Sequence, residues 1–311
     1  MSDGTIAAVA LVGPTASGKS QLAHELALDR ADVEIVSVDA MSVYRGMDLA
    51  TAKPTLAQRR EVPYHLIDLV EPSEEFTVAE FQRAAREAKT NIEHAHHGVF
   101  YVGGTGLYGR AVLDDLDIPA RYPDVRAMLE ARAAGELDAL YEELRQLDPL
   151  AASRIERTNE RRVVRALEVT IGSGRPFSSY GEGLITYGPV RVVQIGLDID
   201  VETLDERIER RFRAWMEEGL LDEVARLRER PGGLSRTARQ AVGYRQLLSH
   251  LEDGTPLETS VTDAITQSRR LARRQRSWFR RDPRVEWMSD AEAAKTRVNE
   301  VLNDVQRFVR D

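Results

Sequence analysis

The sequence predicts an α/β protein: a P-loop core with a parallel sheet, carrying a helical insertion domain. Three observations carry that expectation. Residues 13–20 read GPTASGKS, a full match to G-x-x-x-x-G-K-[ST], between an apolar run and a segment with helical spacing. Across residues 6–118, four apolar runs alternate with helical segments, the pattern of right-handed crossover units and a parallel sheet. From 121 to 180 the strand candidates stop, and Leu and Ala recur at helical spacing. The expected core is therefore residues 1–120 with 189–311, and the expected insertion is 121–188.

Each element has its own reason. IAAVALVG (6–13) is too short to span a bilayer, lacks a basic leader and runs straight into the glycine loop, so it reads as a strand and not a signal peptide. A helix over 19–28 follows, with Leu22 and Leu26 on one face. VEIVSVD (33–39), YHLIDLV (64–70) and GVFYVGG (98–104) read as the next three strands, with a helix over 77–94 before the last. His94, His96 and His97 close that helix just before Gly98. That position favours a structural or surface role over metal binding. In the insertion, Asp148-Pro149 and GSGRP (172–176) punctuate the helices. VRVVQIGLDID (190–200) returns as a buried strand, the remainder is mostly helical, and VEWM (285–288) reads as a short edge strand.

At 311 residues, one large domain with an insertion, or two domains, is the size expectation. The absence of cysteine excludes disulfides and thiolate metal sites, and fits a reducing, cytoplasmic setting. No stretch reaches membrane length, and a monomer is the default. The net charge of −8 argues against a nucleic-acid partner only on average, because the arginines cluster. Residues 154–165 hold five arginines against two glutamates, and residues 269–284 hold eight against one aspartate. Local patches of this kind attract phosphates.

The loop's chemistry is direct. Its glycines let successive N–H groups face one anion, the helix start adds partial positive charge, Lys19 adds a full charge, and Ser20 can ligate Mg²⁺. Which phosphates it holds stays open, because any organic diphosphate satisfies the same donors. Asp39, at the end of VEIVSVD, could serve as a magnesium ligand or as a base for an acceptor. The fourth strand ends in GGTGLY and offers no acid, so the usual pattern of a nucleotide hydrolase is missing. A P-loop kinase of a nucleoside or small metabolite fits the loop plus Asp39 as well.

The order of GPTASGKS, SVDAMSVYRGMDLATAKP, YHLIDLVEPSEEFTVAEF, VGGTGLY, RALEV, RIERRF, VGYRQ and RRLARRQRSWFR resembles the tRNA dimethylallyltransferases, also called tRNA isopentenyltransferases, over roughly Val12 to Trp287. The resemblance implies a P-loop core with a helical insertion. It implies transfer of a dimethylallyl group from dimethylallyl diphosphate to the exocyclic amine of adenosine 37 of tRNA, beside the anticodon.

The resemblance also implies roles. Gly13, Pro14, Thr15, Ala16, Ser17, Gly18, Lys19 and Ser20 would cradle the diphosphate, with Mg²⁺ at Ser20. Arg211, within RIERRF, would contact the diphosphate. Asp39 would be the catalytic base, and Thr105 a second polar contact near the reacting amine. Contacts to tRNA would come from Asp39, Ala40, Met41 and Ser42; from Thr105 and Arg126; from Arg161, Arg162, Val163, Val164 and Arg165; and from Gln240, Ala241, Val242, Gly243, Tyr244 and Arg245. The arginine-rich 269–281 helix would add phosphate affinity. Two departures are visible: Ala50 stands where glycine is usual, and Ser20 replaces the commoner threonine while keeping its hydroxyl.

Overall fold

The computed structural model describes residues 8–181, 184 and 186–310, with side chains described through Asp304. Ile6 and Ala7 of the predicted first strand lie outside the described residues, as do 1–5, 182, 183, 185 and 311 of the predicted domain spans. The chain divides into two compact units, Met1–Asp114 with Pro189–Asp311, and Asp115–Gly188.

The first unit begins β1 (Ala8–Val12), α1 (Lys19–Leu28), β2 (Val33–Val38), α2 (Leu56–Glu61), β3 (Tyr64–His65), α3 (Val78–His94), β4 (Gly98–Gly103) and α4 (Gly106–Leu113). The second unit holds α5 (Pro123–Leu147), α6 (Pro149–Arg154) and α7 (Glu160–Ser173). The first unit resumes with β5 (Val192–Leu197), α8 (Val201–Glu217), α9 (Leu220–Glu229), α10 (Tyr244–Asp253), α11 (Leu257–Arg280), β6 (Val285–Met288) and α12 (Ala291–Arg310).

All six strands form one parallel sheet in the order β3-β2-β4-β1-β5-β6. β1 is central, and none of its side chains exceeds 5% exposure. A strand covered on both faces reads as the unbroken apolar run AVALV, not as an alternation. One face packs Val36, Val38, Phe81, Ile92 and Phe212; the other packs Leu22, Leu26, Ile35, Val298 and Leu302.

YHLIDLV is the expectation that fails most clearly as a strand. Pairing stops at His65, because Leu66 and Asp68 take left-handed backbone (φ 63° and 54°). The segment then bonds to the loop after β2, with Asp68 N–H donating to Ser42 O and Leu69 N–H to Val43 O. Asp68 itself is held by Lys53 (2.7 Å) and Arg59 (2.5 Å). Burial alone would raise its pKa, but those two cations hold it below the ordinary carboxylate value.

The second unit has its own core of Leu129, Leu140, Leu144, Val163, Val164 and Leu167. α5 is kinked at Glu136 (φ −129°), next to Gly135. Asp148 ends α5 and starts α6: its Oδ1 accepts from Ala151 N–H at 3.0 Å, and Pro149 takes the first helical position. α7 stops at Gly174, in left-handed conformation at φ 70°.

Candidate active site

Three neighbouring strands end level with one another. Gly103 of β4 is in register with Val12 of β1 on one side and Val38 of β2 on the other. The loops that leave these ends carry GPTASGKS, GGTG and Asp39. Ligands of open parallel sheets bind at the carboxyl ends of the strands, and here the three chemically distinctive segments meet there.

The phosphate loop turns through Gly13 (φ 142°), Ala16 (φ 64°) and Gly18 (φ 94°). Ala16 holds a left-handed conformation without being glycine, a local strain of the kind concentrated at ligand-binding loops. Gly18 caps α1 without a side-chain acceptor, which leaves the first-turn N–H groups for an anion. Lys19 Nζ is buried and donates to Pro14 O at 3.0 Å. Burial first, and then the charge of Arg211, bring its pKa down from 10.5 to about 8, while Asp39 pulls the other way.

Arg211 comes from α8. Its Nη2 donates to Thr15 Oγ1 at 2.7 Å, and its guanidinium lies 4.6 Å from the Trp215 ring centre. Burial pulls its pKa down to about 10. Its Nε and the Ser17 hydroxyl are buried with no hydrogen-bond partner among the described residues. Buried donors are ordinarily satisfied, and an anion held in the loop would satisfy this pair beside the lysine. Asp39 follows β2. Its Oδ1 accepts from Met41 N–H (2.8 Å) and Ser42 N–H (3.3 Å), while Oδ2 accepts no hydrogen bond among the described residues. Thr105 Oγ1 accepts from Ala40 N–H at 3.3 Å, which links the GGTG loop to the segment behind Asp39.

Lys19, Ser20, Asp39, Arg207, Arg210 and Arg211 all line one cavity of about 1130 Å³. The volume exceeds what a small diphosphate needs. Close approach explains the glycines of GGTG. A methyl on Gly103 would lie 2.1 Å from Val38 O, and one on Gly106 would lie 2.3 Å from the Trp278 indole.

Several predicted tRNA contacts are not among the residues that line this cavity. Val163 and Val164 are 0% and 1% exposed in the second unit's core, and Ala241 and Tyr244 are buried in the first unit's core, so their side chains pack inside the protein. Tyr244 donates to Glu223 at 2.5 Å, and Glu223 accepts from Asp48 N–H (3.1 Å) and Leu49 N–H (3.2 Å), fixing the loop after Asp39. Gly243 is required by its backbone (φ 93°) and by the nearness of Phe212. Arg126 and Arg165 both bind Glu168, which is fully buried, at 3.1 and 2.8 Å. Gln240 and Arg245 line a different cleft of about 280 Å³. Arg161 and Arg162 are exposed and have no ionic partner among the described residues.

The arginine-rich helix is mostly engaged inside the protein. Arg269 pairs with Glu209 (2.7 Å), Arg273 with Asp205 (2.5 Å), and Arg276 and Arg280 with Asp198 (3.2 and 2.5 Å). Arg284 is held by Asp282 (2.6 Å) and Asp114 (3.0 Å). Arg270 and Arg274 are exposed with no ionic partner among the described residues, while Arg281 donates to Ser277 O at 3.1 Å and lies over the Trp278 ring, so most of the eight arginines are engaged within the protein. His97 binds an acid the sequence did not reveal: Glu34 takes His97 at 2.6 Å and His65 at 2.5 Å. No group of three His, Cys, Asp or Glu is placed to hold a metal among the described residues, and no helix there is long and apolar enough to cross a membrane.

Sequence reasoning missed Gln275. Its Oε1 accepts from Thr15 N–H at 2.8 Å, inside the phosphate loop. The one available signal was its spacing from Trp278, which puts both on one face of α11 amid the arginines.

Fold and site together define a P-loop α/β protein whose phosphate loop and a carboxylate line one cavity. The sequence profile of the family described as IPP transferase matches residues 42–282. A tRNA dimethylallyltransferase of a Nocardioides species is 46% identical over 285 residues, covering 90% of each chain. Those of Acidothermus cellulolyticus and Bifidobacterium longum are 45% and 43% identical, over 92% and 90% of this chain and 90% and 85% of their own. The solved tRNA isopentenylpyrophosphate transferase of Bacillus halodurans is 36% identical with a TM-score of 0.69, over 98% of this chain and 100% of its own. A eukaryotic dimethylallyltransferase, at 24% identity and TM-score 0.77 over 94% of this chain and 76% of its own, shares the fold. The chain belongs to the IPP transferase family.

Proposed function

We propose that the protein transfers a dimethylallyl group from dimethylallyl diphosphate to the exocyclic amine of adenosine 37 of tRNA. The observation that carries this reading is the single cavity lined by Lys19, Arg211 and Asp39, in a chain of this family. The reading is supported by the phosphate loop and the Asp39 carboxylate sharing one space.

The C–O bond of the allylic diphosphate breaks and its electron pair leaves with the diphosphate. Lys19, Arg211 and the loop N–H groups offset the charge that grows on the departing oxygen. The amine nitrogen attacks the allylic carbon, and Asp39 accepts the proton this nitrogen releases. The adenine lone pair is delocalised into the ring, so an adjacent base matters more than for an alkyl amine, and such help is worth about 10²–10⁴ in rate. Thr105 supports the acceptor side. Ser20 would hold Mg²⁺ through its hydroxyl, which suits an ion that keeps waters and substrate phosphates as its other ligands. When bound, Mg²⁺ supplies further positive charge to the leaving diphosphate.

Adenosine 37 must leave its loop stack to reach Asp39, which calls for backbone contacts elsewhere. We assign these to the residue 115–188 unit through Arg161 and Arg162, and to Gln240 and Arg245. We further propose that the reaction runs in the cytoplasm and that the chain acts as a monomer. Labelled dimethylallyl diphosphate, Mg²⁺ and unmodified tRNA test the reading: label enters the RNA and diphosphate is released. Asp39→Asn lowers transfer by about 10²–10⁴ with tRNA affinity within about twofold. Unlabelled RNA with turnover of ATP would point instead to a kinase, and full activity of Asp39→Asn would remove the base.

A further inference from the structure

We infer that Gln275 is a positioning residue that sets the donor loop against the acceptor base. The inference rests on the function proposed above and adds a residue to it.

Gln275 Oε1 accepts from Thr15 N–H at 2.8 Å, so one N–H of the phosphate loop is committed to α11 and not to phosphate. The side chain of the same Thr15 receives Arg211 at 2.7 Å. The other end of the Gln275 amide lies on the acceptor side. A methyl at Gly104 would stand 2.8 Å from its Nε2 and 3.0 Å from Gly13 O. One turn further along α11, Trp278 packs on Gly106. Thr105 sits between these two glycines, and its Oγ1 receives Ala40 N–H beside Asp39. One face of one helix therefore touches the loop that holds the leaving group and the loop that borders the base.

The helix itself is held on both sides of this contact. Arg269 and Arg273 bind Glu209 and Asp205 of α8, the helix that carries Arg211, and Arg276 and Arg280 bind Asp198 just after β5. Transfer requires the amine and the allylic carbon at about 3–3.5 Å, and a misplacement of about 1 Å can cost about 10²-fold in rate. Removing the Gln275 tie loosens that spacing while leaving the groups that bind each substrate in place.

Gln275→Met keeps the length and removes the polar ends; Gln275→Glu restores an acceptor for Thr15. For Met we expect kcat to fall about 10- to 100-fold, with both KM values within about twofold and Tm within a few degrees. For Glu we expect kcat to recover to within about fivefold, with donor KM raised by the carboxylate beside the diphosphate site. Hydrogen exchange of the ligand-free chain gives a readout apart from activity: in the Met variant the Thr15 amide and the amides of 103–106 exchange about tenfold faster together. Wild-type kcat in the Met variant, or losses of kcat, both KM values and Tm in parallel, would overturn the inference. If the wild-type chain transfers no label, the proposed function falls, and the exchange result alone decides: separate responses of the two loops would sink the coupling, and a joint response would uphold it.

Discussion

Replacing Lys19 by methionine should stabilise the ligand-free protein while abolishing donor binding. Lys19 is buried with its pKa brought down to about 8 from 10.5, so the fold disfavours its charge. At 1.36 kcal/mol per tenfold, that difference is about 3 kcal/mol at neutral pH. Methionine also forfeits the bond to Pro14 O, worth about 1 kcal/mol, which leaves a net gain of about 2 kcal/mol. The sign with pH follows from proton counts. Below about 8 both folded and unfolded chains carry the proton, and the penalty is present in full. Between about 8 and 10.5 the unfolded chain binds more protons, so wild-type stability rises with pH and the advantage of methionine disappears. Urea unfolding of both chains at pH 7 and pH 10 measures this. A variant less stable than wild type at pH 7, or an advantage independent of pH, would refute the reasoning.

Two further outcomes are expected. Gly106→Ala places a methyl within 2.3 Å of Trp278 and should lower unfolding free energy by about 2 kcal/mol in urea titrations; an unchanged midpoint would mean that α11 moves aside freely. Changing Arg161 and Arg162 to Ala should weaken tRNA binding and reduce the slope of log affinity against log salt by about 1–2, read by filter binding. Unaltered affinity would show that this face of α7 does not meet RNA.

Much of the fold was legible because its signals are local. α1 begins at Lys19 and ends at Leu28 as its loop and leucine spacing require, and α3 starts after Thr77, whose hydroxyl caps Glu80 N–H. The edge strand VEWM is present at 285–288. β3 was misjudged because an apolar composition says nothing of left-handed backbone at Leu66 and Asp68. The same difficulty runs through the site. Asp39, Lys19 and Arg211 sit in distinctive blocks, but a block does not declare which of its residues face inward. Val163 and Val164 adjoin Arg161 and Arg162 in sequence, yet the valines are buried and the arginines exposed. The compensation of the α11 arginines was illegible for another reason: Asp198, Asp205 and Glu209 are remote in sequence and become neighbours only in the folded unit.

The central position of β1 bears on how the chain is made. Its partners are β4, complete by residue 103, and β5, which begins at residue 192 after the whole second unit. As the polypeptide leaves the ribosome, β3, β2, β4 and β1 can assemble while β1 still presents an unpaired apolar edge. At about 5–20 residues per second that edge stays open for several seconds before residues 192–197 emerge to close it. The intervening unit carries its own core and can bury its apolar residues in that interval, while both faces of the sheet wait for Phe212 on one side and Val298 and Leu302 on the other.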